Sequence, residues 1–294
     1  MPQNLTIIIV SFNSSKIISS CLEKIAFSKH RVVVVDNASS DNTVEVIKKS
    51  FPHTEVIKLD KNIGYGRANN VALRTVTSKY AMILNPDAFI AEDDIEKMLH
   101  FLDKNEDVAL SGPLLLSNYP ASQQDIDDQL KVVDGNLIEK CSDYFSVKYI
   151  IGAVLFMRMS VFNKIGFFDE EIFLYYEDDE ISHRVVKNGY KAAIFAGISG
   201  YHIGHGSSGT KLRGIYKRFW HRAFSKLNWK KKQKGMFCAV KSGMRLSLVF
   251  FVRGIFYLVT FNPKKFTENI ASMCGSLSFL LGMKAFDKND NPRG

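Results

Sequence analysis

Four carboxylates stand in a row at Glu177-Asp178-Asp179-Glu180, inside the segment FLYYEDDEISHR. Burying several unpaired charges among aromatic rings is prohibitive, so each acid is solvated, paired or functional. One reading is an acidic helix start set favourably against the macrodipole. The other is a general base whose pKa is tuned by its acidic neighbours. A second carboxylate, Asp87, follows the apolar MIL in Asn85-Pro86-Asp87. On a stiffened turn at a strand end it suits Mg²⁺ or Mn²⁺ on a diphosphate, although a lone Asp after Pro is also an ordinary turn.

Three more groups deserve weighing. Asp36 closes the run VVVVD in VVVVDNASSDNT, where it can accept hydrogen bonds from a nucleobase or ribose, or cap the next helix. Asn62, Gly64, Gly66 and Asn70, in KNIGYGRANN, form a glycine-bearing turn suited to close backbone approach, and equally a plain loop. His202 and His205, in YHIGHGSSG, lie in a glycine-rich turn. A lone histidine is more often structural, but one downstream of two carboxylate groups can complete a metal site.

The elements that would position these residues alternate. Leu5–Val10, Arg31–Asp36, Thr54–Leu59 and Tyr80–Leu84 are short Ile- and Val-rich runs that predict strands buried in a parallel sheet. Between them, Ser14–Phe27, Asp41–Ser50 and Ala68–Thr75 carry apolar residues at helical spacing, and Ser14 or Ser15 suits a cap. Such sheets bind ligands at the carboxyl ends of their strands, which singles out Ser11–Asn13, Asp36–Asp41, Asp60–Gly66 and Asn85–Asp87. Residues 117–145 read as loop plus an edge strand. Order returns over Tyr149–Met157, followed by a helix-like Ser160–Ile165, and Ile181–Asn188 reads as a helix ending at Gly189.

Composition is that of a folded domain, 46% hydrophobic and 23% charged, which excludes disorder and collagen-like repeats. The N-terminal MPQNLTIIIVSFN reads as a first strand and not as a signal peptide. Four scattered cysteines without CxxC spacing argue for a reducing compartment, hence a cytoplasmic location, and against a zinc cage. Charge is unevenly spread. Residues 211–294 carry 18 Lys and Arg against three Asp and Glu, while residues 1–210 carry 21 against 27. The basic tail therefore asks for an anionic partner. It holds a basic cluster, Lys230–Lys232 with Lys234, ahead of the 16-residue Leu246–Phe261 (LSLVFFVRGIFYLVTF), which is short of the ~20 residues of a comfortable span. Nucleic acid satisfies the charge but not the aliphatic and aromatic run, so no nucleic-acid partner is expected.

Taken in order, IIIVSFN, VVVVDNASSDNT, NIGYGRANN, LNPDAFI, GAVLFMR and GFFDEEIFLYYEDDEISHRVVKNGY resemble the family 2 inverting glycosyltransferases over roughly residues 4–210. Within them, NPD in place of DxD resembles the rhamnosyltransferases of bacterial surface-polysaccharide assembly. The resemblance implies a GT-A fold: an α/β, Rossmann-like, mostly parallel sheet flanked by helices, with a helical basic and apolar C-terminal extension. It implies a catalytic domain over 1–210, its donor half 1–115 and its acceptor half 116–210, followed by a membrane-association region over 211–294.

By position, the resemblance gives Asp36 the nucleobase, with Asn13, Asn62, Gly64, Asn70 and Asn85 as further donor-binding residues. It gives Asp87 and His202 the metal (Mg²⁺ or Mn²⁺), and Asp178 the role of catalytic base, with Asp179 as its competitor. Asn85 replaces the first Asp of the triplet, leaving one carboxylate there. The implied reaction moves a sugar, L-rhamnose from dTDP-rhamnose first among donors, to a polyprenyl-diphosphate-linked saccharide at an anionic membrane surface. UDP-hexose and UDP-N-acetylhexosamine are the alternative donors. The apolar tail also suits packing on protein or a homodimer. A sugar nucleotidyltransferase would want a basic glycine-rich first loop where this chain has SFNSS, and a processive synthase would want QxxRW. A non-catalytic binder of nucleotide sugars or anionic polymers would have no use for four clustered acids.

Overall fold

The computed structural model describes residues 4–25, 29–202, 212–287 and 291–293. The chain forms two compact units, one of Met1–Asn62, Ala68–Phe168 and Asp178–Ser207, the other of Ile63–Arg67, Asp169–Glu177 and Ser208–Gly294. Two short segments from the middle of the chain thus belong with the C-terminal region.

The first unit opens with β1 (Leu5–Ser11), α1 (Ile18–Glu23), β2 (Arg31–Asp36), α2 (Thr43–Ser50), β3 (Glu55–Lys58), α3 (Tyr65–Leu73, its first residues in the second unit) and β4 (Tyr80–Leu84). These four strands are mutually parallel in the order β3-β2-β1-β4. β1 and β4 are buried at every residue, which is why their sequences are nearly continuous apolar runs and not alternating ones. α1 is shorter than the apolar spacing predicts and has no side-chain cap. The reason lies in Ser14 and Ser15, whose backbone N–H groups donate to Thr43 Oγ1 and Asp41 Oδ2, which ties 14–15 to the start of α2 instead.

Beyond β4 the sheet is mixed. It continues through β5 (Ala88–Ile90), α4 (Glu92–Lys104), β6 (Val108–Leu116), α5 (Gln123–Asn136), β7 (Leu137–Lys140), β8 (Tyr144–Val147), β9 (Val154–Arg158), α6 (Met159–Ile165), α7 (Glu177–Lys187) and β10 (Lys191–His202). The full order is β3-β2-β1-β4-β9-β6-β10-β8-β7, with β5 on β10. β9 runs antiparallel between β4 and β6, and β7 supplies the predicted edge strand. Much of the rest of 117–145 is helix and not loop. It holds α5, opened by a capping box between Ser122 and Asp125, and its apolar stripe is thin because Val133 is its single buried apolar residue. Within the ordered stretch from Tyr149, the strand itself begins at Val154. α7 begins at Glu177, so the four acids form its first turn, where the macrodipole favours them.

The second unit contains α8 (Leu212–Val259) and α9 (Pro263–Leu280). Gly235, at φ 81°, breaks α8 into two arms. Phe173, Trp220, Phe224, Ala271 and Phe286 form its apolar cluster. An 18-residue window of α8 has mean hydropathy 1.4 with 17% of it buried, which by length and composition alone is enough to cross a membrane. The basic cluster is not uniformly free: Lys232 pairs with Asp169 and Glu171, and Lys230 donates to Ser242 Oγ.

Gly64 belongs to this unit. Its φ is +92°, and a Cβ there would lie 2.5 Å from the Phe173 carbonyl oxygen, which accepts from Tyr65 N–H at 3.1 Å. Gly64→Ala is expected to destabilise the fold by about 3 kcal/mol, the left-handed backbone and the overlap together. Urea unfolding measures it.

Candidate active site

Register alone brings the chemistry to one edge of the first unit. Ser11 pairs with Asp36, Asp36 with Lys58, and Ile9 with Leu84, so the loops after all four parallel strands emerge together. Asp36 is fully buried, and its carboxylate accepts from Ser11 Oγ at 3.2 Å and Ser39 N–H at 3.1 Å. It does not cap α2, whose N-cap residue is Asn42. Asn13 Oδ1 accepts from Ser40 N–H at 2.8 Å, and Asn37 Nδ2 donates to Asn62 Oδ1 at 3.1 Å. Asn13 and Asn62 are thereby each tied to the 36–40 loop that Asp36 opens, a polar floor at this edge. Asn13 and Ala38 hold left-handed backbone (φ 50° and 65°), and such local strain gathers at functional loops.

Asn70 does not join that floor. It is buried on α3, donating from Nδ2 to Phe168 O (2.8 Å) and accepting from Phe168 N–H (3.0 Å). Gly64 lies in the other unit.

The antiparallel strands bring in the rest. β9 starts beside the end of β4, and Asn85 N–H donates to Ala153 O at 2.9 Å. One residue earlier, Gly152 N–H donates to Asp178 Oδ2 at 3.1 Å, while Asp178 Oδ1 accepts from Asp179 N–H. A Cβ on Gly152 would sit 3.3 Å from that of Asp178, so the absent side chain leaves room for the acid. β5 pairs with the end of β10, Ala88 opposite His202, which sets His202 Nε2 3.3 Å from Asp87 Oδ1. His202 ends a strand instead of lying in a turn; His205 and the Gly/Ser loop lie outside the described residues.

The four acids separate into different environments. Glu180 forms a two-point ion pair with Arg184 (2.8 and 3.0 Å), whose guanidinium also donates to the carbonyls of Ile165, Gly166 and Phe167. Burial pushes the Asp178 carboxyl above the usual carboxylate range. Asp179 is pushed up to about 6, by burial first and then by the charge of Asp178. Glu177 is buried and falls in the second unit, preceded by two left-handed tyrosines, Tyr175 and Tyr176 (φ 68° and 70°). Carboxyls raised in this way hold and release protons closer to neutrality than an ordinary Asp, which suits a proton-accepting role.

Residues 6–166 match the model of glycosyl transferase family 2. The chain belongs to that family.

Among its relatives, this family 2 glycosyltransferase is similar to the dTDP-rhamnosyl transferase RfbF of Shigella flexneri, 25% identical over 73% of this chain and 74% of that one. It is 21% identical to an N-acetylglucosaminyl-diphospho-decaprenol L-rhamnosyltransferase of Mycobacterium tuberculosis, over 65% of this chain and 73% of that one. A Haloferax volcanii low-salt glycan biosynthesis hexosyltransferase, Agl10, is 26% identical over 63% of this chain, and the match spans 62% of its own length, under two thirds. The fold is that of a mannosyltransferase from Pyrobaculum calidifontis solved with GDP-Man and Mn²⁺ (TM-score 0.57, 16% identity, 96% of this chain and 90% of that one).

Gly152 is the site residue that sequence reasoning passed over. Its signal was present, a glycine directly ahead of a buried strand in GAVLFMR. Arg184, which fixes Glu180, lies at i+4 on the same helix and was equally readable.

Proposed function

We infer that the glycosyltransferase moves a hexosyl group, with inversion, from a nucleotide donor to a saccharide on a polyprenyl diphosphate at a membrane surface. The observation that carries this is the convergence, on one sheet edge, of the Asp87–His202 pair with Asp178 on Gly152. Asp178 takes the proton of the acceptor hydroxyl as its oxygen attacks the anomeric carbon opposite the diphosphate. One displacement inverts the centre, and no second nucleophile is needed. Asp36, Asn13 and Asn62 receive the nucleoside. Residues 1–115 form the donor half and 116–210 the acceptor half.

One carboxylate and one imidazole fit a hard divalent cation that takes its remaining ligands from the donor phosphates. Among the described residues no group of three or more His, Cys, Asp or Glu converges. Asp87 and His202 would hold Mg²⁺ or Mn²⁺, which when bound supplies neutralisation of the departing diphosphate.

dTDP-L-rhamnose is the donor favoured here, because two of the relatives above are named rhamnosyltransferases. That β-linked donor would give an α-rhamnoside. A UDP-hexose or UDP-N-acetylhexosamine donor is the second reading, supported by the fold shared with TarS solved with UDP-GlcNAc (TM-score 0.56). Calorimetric titration of dTDP-rhamnose, UDP-glucose, UDP-galactose and UDP-GlcNAc in Mn²⁺ tests this. Tightest binding of dTDP-rhamnose is expected, and tighter binding of a UDP-sugar overturns it. The exposed apolar arm of α8 and the basic C-terminal region support a peripheral seat on the inner membrane face.

Asp178 and Asp179 repel one another, so the pair loses its protons in two steps. Both folded pKa values are raised, so turnover falls as pH drops through the region near 6. In Asp179→Asn one like charge is gone, and the acid limb of kcat/KM against pH is expected to move to lower pH. An unmoved limb would mean that the two carboxyls do not share the titration.

A further inference from the structure

The second arm of α8 presents Leu248, Phe251, Val252, Ile255, Phe256 and Val259 to solvent, at spacings that place them along one side of the helix. Phe261, at the turn into α9, is 91% exposed. So much contiguous apolar surface marks an interaction face. Buried Gly254, whose Cα faces Ile270 of α9, marks the inner side.

Between this arm and α9 lies a cleft of about 180 Å³, lined by Phe219, Phe250, Arg253, Tyr257, Lys265 and Asn269 together with Glu268 and Ser272. Glu268, its one acid, is paired with Lys265 at 2.9 Å. Arg253 is the single charge within Leu246–Phe261, is exposed, and makes no hydrogen bond or ion pair among the described residues. The cleft therefore holds an unspent guanidinium beside two aromatic rings, an amide and a phenol.

We propose that this cleft binds the phosphate headgroup of an anionic phospholipid, with Arg253 as its principal contact and the lipid chains along the exposed apolar side. The guanidinium fork matches phosphate oxygens two at a time, more strongly than a neutral donor. An arginine inside an apolar run is costly at bilayer depth and tolerated where it reaches the headgroups, which fixes the arm at the interface. A second copy is the competing occupant of the apolar face. A two-fold contact would set Arg253, Lys264 and Lys265 against the same charges, whereas an anionic leaflet complements them. The inference rests on the membrane part of the proposed function and not on the transferase part.

The test is co-sedimentation of the full chain with vesicles of phosphatidylcholine alone or of phosphatidylcholine and phosphatidylglycerol two to one. Wild type is expected to bind the mixed vesicles preferentially. Removing a basic residue elsewhere, as in Lys231→Gln, should weaken binding about fivefold through general attraction. Arg253→Gln should weaken it more than tenfold, with Arg253→Lys between, keeping the charge and losing the fork. An Arg253→Gln loss no larger than that of Lys231→Gln overturns the cleft and leaves the membrane reading standing. Equal binding of wild type to both vesicles, or binding to neither, overturns it as well. Donor turnover with a water-soluble acceptor needs no vesicle, so it judges the transferase reading separately.

Discussion

Asp178→Asn should lower kcat by about 10²–10⁴-fold, the range for losing a positioned general base, while donor affinity changes little. The substitution keeps the shape of the side chain, and its one amide oxygen can still accept from Gly152 N–H, while the bond from Asp179 N–H is given up. What it removes is the capacity to take a proton. The raised pKa of this group sets a sign for stability too. A carboxyl whose folded pKa exceeds its unfolded one binds more protons when folded, so stability falls as pH rises between the two values. At neutral pH the ionised Asp178–Asp179 pair is therefore a net cost to the fold. Asp178→Asn is expected to melt at a higher temperature than wild type even as turnover collapses, a pairing that a purely structural acid would not give. Stopped assays of nucleoside diphosphate release, beside a thermal melt, read both.

Asp87→Ala should lower kcat/KM by about 10²–10³-fold, the scale of removing one electrostatic stabiliser of a departing oxyanion. Unlike Asp178→Asn, it should also weaken donor binding and flatten the dependence on Mn²⁺ concentration. The reason is the sparse ligand set. With Asn85 where a second carboxylate would stand, Asp87 brings the one carboxylate of that turn, and His202 at 3.3 Å is its neighbour. His202→Ala keeps the carboxylate, so its cost should appear mainly as a higher Mn²⁺ requirement. Titrating Mn²⁺ against turnover in the three proteins separates these outcomes. An Asp87→Ala enzyme with wild-type metal response would remove this residue from the site.

The parallel half of the sheet was readable because strands buried on both faces leave nearly continuous apolar runs, and Leu5–Val10, broken only by Thr6, and Tyr80–Leu84 are such runs. Residues after those strands needed only the rule that ligands gather at strand carboxyl ends. The antiparallel half was less legible. Nothing local in Val154–Arg158 says that it inserts beside β4, yet that insertion is what brings Gly152, and through it Asp178, to the Asn85–Asp87 turn. α5 was hidden for a different reason: a helix with one buried apolar residue has almost no stripe to read, although Ser122 and Asp125 spelled out its cap. Asn70 shows that a polar residue's type does not reveal its partner within the fold. Its type and place suited a donor, but its amide is taken up by the Phe168 backbone, a contact 98 residues away in sequence.

The most direct measurement follows nucleoside diphosphate release by wild type and Asp178→Asn, with dTDP-rhamnose, Mn²⁺ and a polyprenyl-diphosphate-linked saccharide, and the anomeric configuration of the product. Acceptor-dependent release giving an inverted product in wild type, and a loss of at least 10²-fold in Asp178→Asn with donor still bound, is the expected result. Asp178→Asn turning over at the wild-type rate, or a product of retained configuration, would contradict the assignment of Asp178 as the base of an inverting transfer.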